Sequence, residues 1–138
     1  MIPKFRMWMK SLKWMCDVTN ISLDSKFVDI CQQGDTERYT EMSVEFDEIV
    51  LMQSTGLKDK NGKEIFEGDI VRTTRFLGRA DEIGGFYEYE KDYVGVVKVL
   101  EGAWVIDTGS VAVRLWSEID EPEVLGNIYE NPELLEDK

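Results

Sequence analysis

The fold is decided by residues 49–71, which read IVLMQSTGLKDKNGKEIFEGDIV. This stretch runs from one apolar segment through two turn signals into a second apolar segment. Asn61-Gly62 is the dipeptide that best tolerates positive φ at both centres of a tight hairpin turn, and Glu67-Gly68-Asp69 predicts a second turn. Thr55-Gly56-Leu57 reads as a further bend marked by glycine. Because these turn signals lie so close together, the stretch predicts small β-structure and argues against a long helix.

Short strands continue from this stretch towards the C-terminus. Residues 93–100 are rich in β-branched side chains and form the strongest strand pattern in the chain. Glycine-marked turns at 101–102 and 108–110 separate it from apolar runs at 103–107 and 111–115, and a further run at 124–129 could close the sheet. About five strands between residues 70 and 129 predict a small closed barrel, with a two-sheet sandwich as the alternative.

Residues 77–92 differ from their surroundings because they combine glycine, charge and aromatic residues. This composition predicts a long loop or an extended hairpin, and loops of this length are often functional. The candidate binding residues in this loop are Phe86, Tyr87, Tyr89 and Tyr93. The alternative is a solvated loop whose aromatic rings lie on the barrel.

The N-terminal part predicts a separate β subdomain or extension over residues 1–50, packed on a C-terminal barrel over residues 51–138. Residues 4–18 alternate apolar and polar side chains in the manner of a hairpin, across which Trp8 could stack on Trp14. Residues 46–52 fit either a short helix or a buried strand. No linker rich in Pro, Gly or Ser separates the two parts, which predicts one compact unit.

Composition narrows the functional classes. The 138 residues carry a net charge of −12 and no histidine, so the usual general base and the commonest metal ligand are both missing. Cys16 and Cys31 do not make a four-ligand zinc framework, and they are interpreted as two reduced core side chains in preference to a disulfide. We therefore expect no enzyme, no catalytic residues, no metal and no cofactor. A carboxylate pair such as Asp69 and Asp107 is the enzymatic alternative.

The sequence shows no signal peptide and no apolar run of membrane-spanning length, which predicts a cytoplasmic protein that does not bind a membrane. The acidic net charge disfavours nucleic-acid binding by the surface as a whole. A local basic patch of Arg72, Arg75 and Arg79 keeps nucleic-acid binding open as an alternative, against ordinary solvated charge.

Three separate stretches resemble one family. Residues 52–71, the opening Lys4-Phe5-Arg6 followed by Trp8, and the closing run GNIYENPEL at 126–134 are similar to the YopX family of phage and prophage proteins in order and spacing. One departure is Ser54, where the family pattern leads us to expect an aromatic residue. The resemblance implies a mainly β fold with an SH3-like barrel in the C-terminal part, a phage or prophage accessory role and no established activity.

These observations together predict a non-enzymatic binding or assembly module acting in the host cytoplasm. Its partner is an unknown protein or a second copy of itself. A homo-oligomer is expected because a second copy would bury the exposed edge strands and the apolar N-terminal hairpin. The alternatives are a nucleic-acid-associated protein that uses a local basic and aromatic patch, and an acidic mimic of nucleic-acid charge.

Overall fold

The computed structural model describes residues 4–80, 84–115 and 121–136, and for residues 76–80, 86 and 87 only the backbone. These residues form antiparallel strands and two short 3₁₀ helices, Phe46–Glu48 and Pro132–Leu135. The strands are β1 (Phe5–Met9), β2 (Trp14–Ser22), β3 (Phe27–Gln32), β4 (Met42–Glu45), β5 (Ile49–Lys58), β6 (Glu64–Phe66), β7 (Asp69–Ala80), β8 (Phe86–Leu100), β9 (Ala103–Asp107), β10 (Ala112–Arg114) and β11 (Glu123–Asn127). The prediction of a mainly β protein is therefore confirmed.

Two antiparallel sheets account for these strands. One has the order β4-β3-β2-β1-β5-β6 and the other the order β10-β9-β8-β7-β11. The chain divides into two compact units, Met1–Ser54 and Thr55–Lys138, and β5 runs through the division. The predicted N-terminal hairpin is β1 with β2, and it is only part of a larger sheet that also takes in β5 and β6.

The first unit is held by side chains that alternate along its strands. Met7 pairs with Cys16 and Val28 pairs with Val44, so these four buried residues share one face of the sheet. Burial of such side chains stabilises a small sheet by roughly 25 cal/mol per Å² of apolar surface. Cys16 and Cys31 are both buried and unbonded, which confirms that they are core side chains without a disulfide.

The expected stacking of Trp8 on Trp14 is wrong, and the register gives the reason. Trp8 pairs with Met15, whereas Trp14 pairs with Met9. Neighbouring residues of a strand point to opposite faces of the sheet, so the two tryptophans lie on different faces. The alternation was sufficient to predict the hairpin, but its register is shifted by one residue from the one that stacking requires.

The central stretch behaves largely as predicted. Turns lie at 59–62 and 67–68, and Gly62 and Gly68 adopt φ values of +82° and +87°. Gly56 also has positive φ, +78°, but β5 continues through it. The expected break at Thr55-Gly56-Leu57 is therefore a local irregularity inside one long strand. The ambiguous residues 46–52 divide into the 3₁₀ helix Phe46–Glu48 and the start of β5.

The second unit contains a five-stranded sheet. Its core comprises Ile65, Val71, Val97, Ile106 and Leu115. The predicted strands at 93–100, 103–107, 111–115 and 124–129 correspond to the second half of β8 and to β9, β10 and β11, which confirms the meander. No helix among the described residues is long and apolar enough to cross a membrane.

The described residues between 77 and 92 do not form a long loop. Residues 77–80 end β7 and residues 86–92 begin β8, so the extended hairpin is the correct alternative. Phe86, Tyr87, Tyr89 and Tyr93, assigned to a candidate loop, all lie on β8. The pairing of Leu77 with Tyr89 and of Arg75 with Lys91 explains the difference, because two charged or glycine-containing segments form a ladder once each supplies the other's backbone hydrogen bonds.

Candidate functional site

The β7–β8 hairpin extends beyond the rest of its sheet. β7 and β8 pair from Ile70 opposite Val96 to Ala80 opposite Phe86. β11 pairs with β7 only as far as Arg72, and β9 pairs with β8 only from Val96 onward. We call residues 73–80 and 86–95 the distal ribbon. Neither β11 nor β9 continues its ladder into the distal ribbon.

The aromatic residues predicted for binding are partly brought together here. Tyr89 and Tyr93 lie four residues apart on β8 with Lys91 between them, so all three side chains share one face. The Lys91 ammonium lies 5.3 Å from the centroid of the Tyr93 ring, which is a cation–π distance. Tyr89 is 40% exposed. Phe86 and Tyr87 begin β8, and their side chains lie outside the described part of the structure.

The three arginines of the predicted basic patch do not form one patch. Arg72 makes a salt bridge of 2.6 Å to Glu123 on β11. Arg75 donates a hydrogen bond to the backbone carbonyl of Arg114 at the end of β10 and pairs in register with Lys91. Arg79 pairs in register with Tyr87, and its side chain is outside the described part. Arg72 and Arg75 therefore make structural contacts, and they lie on opposite faces of β7 because they are three residues apart.

The other face of β8 is acidic, which the sequence analysis missed. Glu88, Glu90 and Asp92 are exposed and alternate along the strand, so their carboxylates follow one another at about 7 Å. The Thr74 hydroxyl donates to the Asp92 carboxylate at 2.5 Å from the neighbouring strand. The alternation of acidic and other residues was visible in the sequence, but it indicates a face only if these residues form a strand.

A groove borders the distal ribbon where β9 ends. Lys91–Val94 form one side of it and Thr108, Ser110 and Val111 form the other, enclosing about 500 Å³. The second side is a closed turn, because the Thr108 amide donates to the Val111 carbonyl at 2.9 Å and the Val111 amide donates to the Thr108 hydroxyl at 3.2 Å. This side of the groove is therefore ordered before any ligand arrives.

Gly95 marks the point at which β9 meets the ribbon. A Cβ at Gly95 would lie 2.3 Å from the carbonyl oxygen of Asp107, closer than real Cβ contacts. The absence of a side chain at Gly95 thus permits the close approach of the end of β9. Beyond this point the chain turns at Thr108 towards β10, and β8 continues beside the groove, paired with β7 on its other side.

Two aspartates of the central stretch, Asp59 and Asp69, accept hydrogen bonds from backbone amides. The Asp59 carboxylate accepts hydrogen bonds from the amides of Asn61 (2.9 Å), Lys63 (2.8 Å) and Val124 (3.0 Å). Burial by itself raises the pKa of Asp59, but these three amides and the nearby Lys63 ammonium outweigh it, so the pKa lies below the usual value for an aspartate. Asp69, which is buried, accepts the Phe66 amide at 2.8 Å. Asp59 thus joins the predicted turn to β11.

The closing run is arranged in the same way. The Asn127 side-chain oxygen accepts the amides of Tyr129 and Glu130, at 3.0 and 2.9 Å. A Cβ at Gly126 would lie 2.4 Å from the Asn131 side-chain oxygen, so glycine is required for this packing. The Ile128 amide donates to the Gly68 carbonyl at 3.0 Å, which connects the closing run to the central stretch.

The two distant stretches that carried the resemblance, at 52–71 and 126–134, are thus parts of one hydrogen-bonded arrangement. A model of the family described as YopX protein matches residues 4–136, nearly the entire chain. The chain belongs to the YopX family. The resemblance drawn from the sequence is confirmed, and the YopX motifs at 52–71 and 126–134 are explained by turns and backbone hydrogen bonds.

A solved structure supports the same fold for this YopX chain. The crystal structure of protein EF1440 from Enterococcus faecalis is similar to it with a TM-score of 0.58 and 32% sequence identity, covering 98% of this chain and 99% of that one. No curated protein matches the chain.

The side chains considered for enzymatic chemistry are not assembled into a pair. Ile70 pairs with Val96, and Val96 pairs with Asp107, so Ile70 and Asp107 share a face of the sheet while Asp69 lies on the opposite face. Among the described residues, no group of three Cys, Asp or Glu side chains could hold a metal ion. Burial raises the pKa of Cys16 to about 11, with Cys31 and Asp17 adding to the effect, so its thiol remains protonated at neutral pH.

Proposed function

We propose that this YopX protein is a non-enzymatic binding or assembly module, a phage or prophage accessory protein acting in the host cytoplasm, and that it binds a protein partner through the distal ribbon. The observation that carries the proposal is the ordered row of Tyr89, Lys91 and Tyr93 on a strand that continues past both of its flanking strands.

Aromatic side chains on a paired strand suit protein binding. A tyrosine supplies a large contact area and a polar hydroxyl while losing only two side-chain torsions on immobilisation. Tyr89 is 40% exposed on a backbone already fixed by its ladder with β7, so little conformational entropy remains to be lost on binding. The Thr108–Val111 turn gives the adjoining groove a second ordered side.

An SH3-like barrel in the second unit belongs to the same proposal. Arg75 on β7 reaches the backbone carbonyl at the end of β10, although β8 and β9 separate these strands in the sheet. Three strand spacings in a flat sheet span about 14 Å, which is beyond the reach of an arginine side chain. A sheet that curls toward closure, as SH3-like barrels do, accounts for this contact.

The non-enzymatic assignment is supported by what the polar side chains of the motifs do. Asp59, Asp69 and Asn127 are buried and accept backbone amides within turns. Carboxylates committed to such hydrogen bonds stabilise local structure, and a lowered pKa such as that of Asp59 is the opposite of what a general acid requires at neutral pH.

Affinity capture from host cells tests the proposal. The variant Tyr89→Ala with Lys91→Ala removes two exposed side chains of the ribbon. The matched control, Tyr39→Ala with Lys58→Ala, removes the same two residue types at exposed positions outside the second unit's ribbon. We expect the ribbon variant to lose captured proteins at least tenfold and the control to retain them. Equal capture by wild type and the ribbon variant would contradict the proposal.

Nucleic-acid binding is the second candidate, favoured by one observation. Arg75 and Lys91 pair in register beside Tyr93, which is the combination of cationic and aromatic groups that single strands contact. The test is a gel shift with single-stranded oligonucleotides at 50 and 200 mM salt, because phosphate contacts weaken steeply with salt. The absence of a shift at the lower salt would eliminate this function.

Self-association is also part of the proposal. Exposed apolar residues such as Val99 and Leu100 would be buried by contact with a second copy. Multi-angle light scattering should then give a mass above the 16.0 kDa of one chain at high concentration. A mass of one chain at all concentrations would refute the homo-oligomer without affecting the binding proposal.

A further inference from the structure

The edge of β8 next to the groove is arranged as a template for a further strand. β9 pairs with β8 as far as Val96, and its chain then turns away at Thr108. Lys91–Tyr93 continue in strand conformation next to the groove, and among the described strands it is β7, on their opposite side, that pairs with them. A peptide laid in this groove would continue the sheet in the position that β9 vacates.

The two faces of β8 determine which side chains such a peptide must carry. On one face Glu88, Glu90 and Asp92 place three carboxylates at alternate positions. On the other face stand Tyr89 and Tyr93, with the Lys91 ammonium over the Tyr93 ring. A strand also alternates its side chains between the two faces, so a complementary peptide has basic residues on the acidic face and apolar residues on the tyrosine face.

We infer that the partner of the distal ribbon is an extended segment with Lys or Arg at alternate positions and apolar residues between them, which pairs with the edge of β8 from Glu88 to Tyr93. This inference rests on the proposed function and specifies its partner. The net charge of −12 attracts such a segment at long range, and the alternating carboxylates set its register.

The length of the edge limits the segment. Residues 88–93 span about 20 Å at the rise of a β-strand, which corresponds to five to seven residues of ligand. The Thr108–Val111 turn borders the groove at the Val94 end, so the ligand's backbone ends there or bends away.

Binding of synthetic peptides to the full chain tests the inference. The probe is the fluorescent peptide Gly-Lys-Val-Lys-Val-Lys-Gly, compared with Gly-Lys-Lys-Lys-Val-Val-Gly, which has the same composition without the alternation. We expect the alternating peptide to bind at least fivefold more tightly by fluorescence anisotropy. Equal affinity for the two peptides would overturn the inference, because it would show attraction by net charge without strand pairing; no binding of either would overturn it as well.

Variants locate the site. Glu88→Gln with Glu90→Gln keeps the size of two exposed side chains and removes their charge, and we expect about fivefold weaker binding of the alternating peptide. Glu133→Gln with Glu136→Gln removes the same charge from exposed positions in and after the second 3₁₀ helix, and we expect less than a twofold change. Equal weakening by both pairs would overturn the assignment to β8.

Hydrogen exchange provides a readout that is specific to strand addition. The alternating peptide should protect backbone amides of β8 between Glu88 and Tyr93, since an added strand accepts hydrogen bonds from every second amide. Unchanged exchange in the presence of saturating peptide would overturn the inference.

The two proposals fail in distinguishable ways. If the Tyr89→Ala and Lys91→Ala variant loses captured proteins while the alternating peptide binds no better than its isomer, the ribbon is a binding surface for a different partner. If capture is unaffected by that variant, the proposed function itself fails. Preferential binding of a single-stranded oligonucleotide over both peptides would overturn the inference in favour of nucleic acid.

Discussion

The β7–β8 hairpin has two regions, the sheet end and the distal ribbon. Both have the same antiparallel pairing, but they differ in side-chain burial and in the strands that flank them. At the sheet end, Ile70 and Val71 are both fully buried although they point to opposite faces, and further strands pair on both sides. In the distal ribbon, Glu88, Glu90 and Lys91 are exposed. The comparison teaches that the ladder alone sets the direction of the strands, while flanking strands and burial decide which part is core and which part is surface.

The largest effect on the free energy of unfolding is expected when a buried side chain at the sheet end is shortened to alanine. Ile106 is 1% exposed and pairs with Val97, so Ile106→Ala should lower the free energy of unfolding by about 3 kcal/mol through lost burial and a cavity. Val99→Ala, at a 52% exposed position on β8, is the control and should change it by less than about 0.5 kcal/mol. Chemical denaturation measures both, and similar losses would mean that the buried and exposed positions are assigned incorrectly.

A second prediction concerns the boundary between the two regions. Gly95→Ala places a Cβ against the Asp107 carbonyl, so β9 must move away, with an expected cost of about 2 kcal/mol from overpacking. Because the displaced residues lead into the Thr108–Val111 turn, binding of the alternating peptide should weaken as well. A Gly95→Ala protein as stable as wild type would show that the backbone adjusts easily and would contradict the proposed rigidity of the groove.

A third prediction uses the carboxylate that connects the sheet end to the central stretch. Asp59→Asn replaces one acceptor oxygen by an amide donor opposite backbone amides, and should cost about 2 kcal/mol at pH 7. The pKa of Asp59 is lowered in the folded state, so its contribution is present above 3.8 and is lost as the pH falls through the lowered value. The difference between wild type and variant should therefore shrink at pH 3. A difference that is constant from pH 7 to pH 3 would contradict this role.

The smallest effect on stability is expected in the distal ribbon. Tyr89→Ala removes an exposed ring from the part of β8 that pairs with β7 but lies beyond the pairing with β9, and should change the free energy of unfolding by less than about 0.5 kcal/mol. The same variant should reduce partner capture strongly. Loss of stability comparable to that of Ile106→Ala would place Tyr89 in the core and remove it from the binding surface.

Much of the second unit was predictable because its signals are local. Asn61-Gly62 and Glu67-Gly68 form turns through the conformational freedom of glycine, and β-branched residues at 94–99 form a strand through their own preference. For residues 77–92 the sequence leaves a long loop and an extended hairpin both open, because glycine and charge are typical of either. Their pairing with one another depends on a partner strand that composition does not reveal.

The candidate site was predictable only in part. The sequence predicts Tyr89 and Tyr93 as candidate binding residues, and the structure places both on one face with Lys91. Arg72 and Arg75 do not form the predicted basic patch. Arg72 contacts Glu123 and Arg75 contacts the carbonyl of Arg114, and spacing in the sequence does not reveal either contact. The acidic face of β8 becomes visible only when strand alternation is known.

The sequence by itself determined the YopX family, the mainly β class, the positions of the turns and most strands, because these depend on glycine conformation, side-chain alternation and motif spacing within short stretches. Only the tertiary structure decided the register, the extension of β7 and β8 beyond their neighbours and the contacts of Asp59 and Asn127. These features depend on hydrogen bonds between residues far apart in the chain, such as Val124 to Asp59, and their free energies are realised only when the strands have come together.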